Sequence, residues 1–102
     1  MFAKIILKMH PLIQAYRNDL KALALRHGLA NISVFGSMAR GDADADSDVD
    51  LLVDAPAGIS AFVLGEMLMD AQDLLGRRVD IVTRAALHPM MRERVLEEAQ
   101  PL

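Results

Sequence analysis

Asp48 and Asp50 are separated by one residue in the run Asp48-Val49-Asp50-Leu51-Leu52-Val53. On an extended strand, residues two apart point to the same side, with Cα atoms about 6.5–7 Å apart. A third acid, Asp80, stands in Arg78-Val79-Asp80-Ile81-Val82, a segment of the same alternating type. If the two strands are neighbours, three carboxylates converge. Two like charges ~4 Å apart cost roughly 4 kcal/mol at an effective dielectric of 20, so a fold gains nothing from such a cluster by itself. A divalent cation reverses the sign. Hard oxygen donors, with no Cys in the chain and no His beside them, suit Mg2+ or Mn2+ better than zinc. Two such ions about 3.5–4 Å apart form the usual clamp for in-line phosphoryl or nucleotidyl transfer.

The other half of the chemistry lies upstream, at Gly36-Ser37. Glycine lets the backbone come close to a phosphate. A helix start after it offers N–H groups without helical partners. Ser37 adds a hydroxyl donor, and Arg40, one turn on, carries a fork of donors suited to phosphate oxygens. One strand end would then hold a triphosphate tail and the next strand the metals.

These residues need a scaffold. Pro11 opens a helix whose Leu12, Ile13, Tyr16, Leu20, Leu23 and Ala24 recur at helical spacing, and His27-Gly28 closes it. Ile32–Phe35 predicts a first strand and Met38–Arg40 a short helix. Asp48–Val53 predicts a second strand, with Val49, Leu51 and Val53 on one face and Asp48, Asp50 and Leu52 on the other. Ser60 caps a helix with its apolar stripe from Leu64 to Leu75, Arg78–Val82 predicts a third strand, and Pro89 opens a last helix to about Glu98. The expected fold is a small α/β (α+β) domain with a mixed sheet of three strands or slightly more. Helices should pack mainly on one face, leaving the carboxylates in a partly open cleft on the other.

The 102 residues make one small domain, with 53% hydrophobic residues to fill a core. Residues 1–9 are set apart as an N-terminal extension and 10–102 as the domain. The apolar stretch Phe2–Leu7 is too short for a signal or a membrane span. A net charge of −3 argues against strong direct binding to nucleic acid. The absence of cysteine fits the cytosol.

The combination Gly36-Ser37-Met38-Ala39-Arg40-Gly41, then Ser47-Asp48-Val49-Asp50-Leu51-Leu52-Val53, resembles the signature of the polymerase-β-type nucleotidyltransferase superfamily. The short chain, Arg77–Val82 and the closing helix resemble its minimal nucleotidyltransferase (MNT) group, over roughly residues 10–102. That resemblance implies the polymerase-β-type fold. It implies Gly36 and Ser37 as the triphosphate-binding pair, with Arg40 as a further nucleotide contact. It implies Asp48, Asp50 and Asp80 as catalytic metal carboxylates, Asp80 doubling as ligand or base. It further implies two Mg2+ ions, ATP as donor, and AMP transfer to a tyrosine of a partner HEPN-type RNase toxin, so that the protein is an antitoxin in a hetero-oligomer. Two rival functions stand beside it: an antitoxin acting by contact alone, and a transferase for small molecules, which the lack of an acceptor domain disfavours.

Plainer roles suit the remaining polar residues. Asp42, Asp44 and Asp46 resemble the start of a calcium loop, but Ser47 and Val53 stand where that loop needs Gly and Glu. They read as a solvated loop, and Arg40 could pair with Asp42 or Asp44. His10, His27 and His88 fall at helix ends, where capping explains them. Met67, Met69, Met90 and Met91 read as core or interface filler, and Arg77, Arg78, Arg92 and Arg94 as solvated.

Overall fold

The computed structural model describes residues 9–102. The proposed extension therefore lies outside the described residues except for Met9, which is 1% exposed and belongs to the core. Helix α1 spans Pro11–Arg26, strand β1 Ala30–Phe35, helix α2 Ser37–Arg40 and strand β2 Val49–Asp54. Helix α3 spans Ala61–Leu75, strand β3 Val79–Thr83, helix α4 Pro89–Glu98 and strand β4 Gln100–Pro101. A 3-10 turn at Arg84–Ala86 follows β3.

The helix starts follow the expected caps. The Nδ1 atoms of His10 and His88 accept from the backbone N–H groups of Leu12 and Met90, each with proline as the next residue. Ser60 Oγ accepts from the Phe62 N–H and caps α3. His27 closes α1 and places Nε2 2.9 Å from Asp70 on α3.

The sheet has four strands in the order β3-β2-β1-β4. β1 pairs antiparallel with β2 and β4, whereas β2 and β3 are parallel, joined through α3. β4 lies beyond the sequence expectation. Two residues are too short for any periodic signal, and proline, having no N–H to donate, is tolerated in a sheet only at an edge. The strands themselves run slightly differently from expectation. β2 begins at Val49, so Asp48 stands at its threshold, and β3 begins at Val79.

One face carries the main core. Ile13, Leu20 and Leu23 of α1 and Met67, Ala71 and Leu75 of α3 pack with Val34, Val49, Leu51 and Val53. The opposite face is covered in part. Leu52 alternates away from that core yet is fully buried, and Val95 of α4 is buried outside the main cluster as well. Ser33, opposite Leu52 in register, is 2% exposed and its Oγ accepts from Arg84 Nη2 at 3.0 Å. Glu98 at the end of α4, bonded to the Gly36 N–H, and Arg84, bonded to Ser33 and Asp54, thus cover part of the second face.

Candidate active site

Strand register decides how the acids meet. Phe35 lies opposite Asp50, and Asp50 lies opposite Asp80. Directly paired residues on neighbouring strands share a face, so Phe35, Asp50 and Asp80 form one row across the sheet. Asp50 is half-buried and Asp80 is exposed. Burial pushes the Asp50 carboxyl up to about 6, and the charges of Asp80 and Asp48 push in the same direction. Asp48 is turned to a cation of the chain itself: Arg78 Nε lies 3.2 Å from its Oδ1. Among the described residues no three acids or histidines are gathered tightly enough to form a finished metal cage. The structure therefore brings Asp50 and Asp80 side by side, with Asp48 adjacent, and leaves Asp48 paired with Arg78. The donor chemistry fits a hard divalent cation, whose charge would favour the ionised form of Asp50 that burial, Asp80 and Asp48 together disfavour.

The glycine of the upstream half is fixed by two constraints. Gly36 has φ 70 and ψ −152, a region essentially closed to residues with a Cβ. A Cβ at this position would also collide with Asp50 Oδ2. The phosphate-loop candidate and the central acid are thus in direct contact, which their fourteen-residue separation in sequence conceals. Helix α2 is one short turn, with the N–H groups of Ala39 and Arg40 both returned to Gly36 O. What this end offers to an anion is the local N–H groups of Ser37 and Met38 and the Ser37 hydroxyl rather than a long helix dipole.

Arg40 does not reach into open space. Its Nε lies 3.1 Å from Asp42 Oδ2 and its Nη1 2.9 Å from Glu98 Oε1. The pairing with Asp42 that the sequence offers is formed. The same Glu98 oxygen accepts the Gly36 N–H at 3.0 Å. Sequence reasoning missed Glu98 in this place. It reads as the polar end of a surface helix, and nothing in its spacing reveals that α4 crosses to Gly36.

The acidic loop between α2 and β2 is held in shape by its own side chains. Asp44 Oδ1 accepts from the Asp46 N–H and the Ser47 hydroxyl, and these bonds hold its carboxyl below the ordinary range. Arg77 Nη1 donates to the carbonyls of Asp44 and Ser47. Arg77 is thus a clamp on the loop that delivers Asp48, not a solvated cation. Arg92 likewise donates to the Arg84 carbonyl.

A glycine turn abutting paired strand acids is compatible with nucleotidyl transfer, and comparison with known proteins supplies the family. The Nucleotidyltransferase domain family matches residues 13–102. The chain belongs to that family. It is a nucleotidyltransferase. It is 36% identical to the protein adenylyltransferase MntA of Thermococcus cleftensis over 89% of each chain. A solved structure of a candidate minimal nucleotidyltransferase superposes with a TM-score of 0.80 at 44% identity, covering 88% of this chain and 92% of that one. A toxin–antitoxin structure with AMP-PNP shares the fold, with a TM-score of 0.73 at 22% identity over 82% and 69% of the two chains. The nucleotidyltransferase architecture and the mixed sheet expected from sequence are thus those of the protein. No helix among the described residues is long and apolar enough to cross a membrane.

Proposed function

We propose that this nucleotidyltransferase is a protein adenylyltransferase that moves AMP from ATP to a tyrosine of a HEPN-type RNase toxin and thereby silences it. The observation that carries the proposal is the contact of Gly36 with Asp50 in register with Asp80, which sets triphosphate donors against paired acids. The relative named protein adenylyltransferase MntA supports a protein acceptor. The toxin–antitoxin structures of similar fold support a toxin partner.

In this reading Gly36, Ser37 and Arg40 hold the β- and γ-phosphates. Asp48, Asp50 and Asp80 hold Mg2+, which when bound neutralises the phosphates and orients them. The tyrosine oxygen forms a bond to the α-phosphorus as the bond to the β-bridging oxygen breaks. Pyrophosphate leaves on the Gly36 side, and Asp80, the most exposed acid of the row, receives the hydroxyl proton. The cleft is open at this end, so an acceptor on another protein can approach without a dedicated acceptor domain.

Incubation of the chain with α-labelled ATP, Mg2+ and the toxin tests this. Label on a toxin tyrosine is expected. Asp50→Ala should reduce it by at least ~100-fold, more than loss of a mere outer-shell partner costs. A tight complex without label would instead establish an antitoxin acting by contact. Label on a small molecule alone would establish the third function.

A further inference from the structure

Glu98 occupies the place that the proposed function gives to a phosphate. Its Oε1 accepts the Gly36 N–H at 3.0 Å and lies 2.9 Å from Arg40 Nη1. A backbone N–H beside a guanidinium is the donor pair that an anionic oxygen takes, and a carboxylate oxygen satisfies it as a phosphate oxygen would. The side chain is only 22% exposed, so this is no loose surface pairing. We propose that Glu98 is a built-in competitor for the triphosphate seat: it fills the seat when nucleotide is absent and is displaced when nucleotide binds. The inference rests on the nucleotide-binding role of Gly36 and Arg40.

The fold limits how the displacement occurs. Glu98 is the last residue of α4, and β4 is fastened to β1 at once after it, with Val34 opposite Gln100 and Ser33 opposite Pro101. The Ala99 N–H bonds Val95 O, and the Leu102 N–H bonds Ile32 O. The backbone on both sides of Glu98 is therefore pinned. Release is a rotation of the Glu98 side chain about its own bonds, not an excursion of the helix. Arg40 keeps Asp42 through Nε during the exchange, so its Nη1 stays aimed at the seat.

A competitor lowers apparent affinity by the fraction of molecules in which it holds the seat. Removing it should therefore tighten binding. A brace that positions Arg40 would do the reverse. Calorimetric titration of ATP with Mg2+, without acceptor, into the wild-type chain, Glu98→Gln and Glu98→Ala separates the two. The expectation is a dissociation constant about 3–10-fold lower in Glu98→Ala, with Glu98→Gln between it and wild type. That range corresponds to about 0.7–1.4 kcal/mol, within the worth of one charge-assisted hydrogen bond at a partly exposed site. In the nucleotide-free proteins the Gly36 amide should exchange with solvent faster in Glu98→Ala than in wild type. Glu98→Gln retains the shape of the helix end should Glu98→Ala fold poorly. Unchanged or weaker binding in both variants overturns the competitor. Absence of ATP binding in all three proteins overturns the nucleotide reading itself, and the inference with it.

Discussion

At the scale of single residues, the site is an electrostatic conflict held in place by packing. The Asp50 carboxyl is pushed from an ordinary 3.8 to about 6, first by burial and then by Asp80 and Asp48. A carboxyl whose folded value is raised binds more protons folded than unfolded between those two pH values. Its contribution to stability therefore falls as pH rises from about 4 to about 6 and stays low above. Asp50→Asn removes that dependence. With a chelator present, the Tm advantage of Asp50→Asn over wild type should grow between pH 4.5 and pH 7.5. Solvent screening at this half-buried site keeps the gain modest. A constant Tm difference would mean that Asp50 feels no such strain. The acids and Gly36-Ser37 were legible in the sequence because their types and spacing are chemically unusual. Glu98 was not, because a lone glutamate at a helix end carries no periodic or motif signal. Arg78 beside Asp48 was hidden for a related reason, since an ion pair across strands depends on register.

At the scale of elements, β2 and its entry loop deliver the acids, and Arg77 locks that loop from the connection between α3 and β3. Two bonds from one guanidinium nitrogen to the Asp44 and Ser47 carbonyls tie residues that Asp44 already folds into a turn. Arg77→Ala should cost about 1–2 kcal/mol of stability, the worth of charge-assisted bonds at a partly exposed site. It should also raise the KM for ATP more than it lowers kcat, since Asp48 loses its fixed approach while Asp50 and Asp80 keep theirs. Denaturant unfolding with steady-state kinetics checks both, and an unaltered KM would show that the clamp is merely structural. Element starts were readable from Pro11, Ser60 and Pro89 because caps and prolines act locally. The position of α4 was not. Its one buried residue, Val95, gives too thin an apolar stripe to announce which sheet face it covers.

At the scale of the whole molecule, a small domain has little stability to spare, so ligand binding should be visible in its melting. ATP with Mg2+ at 100 times its dissociation constant stabilises a folded protein by ≈ 2.7 kcal/mol. For a domain of this size that is a rise in Tm of roughly 11–22 °C. Calorimetric melting should show the rise in wild type and lose most of it in Asp50→Ala, whereas equal shifts in both proteins would move the binding site elsewhere. The in-register parallel pairing of β2 with β3 also has a bearing on protein engineering. Because alternate residues of a strand face opposite ways, one residue inserted within Val49–Asp54 would turn every position beyond it through the sheet, exchanging acids for core. The turn at 55–60 carries no such phase. Gly58 has open space around it, so a peptide tag or a reporter loop spliced there can lengthen the chain without altering which residues meet across the strands.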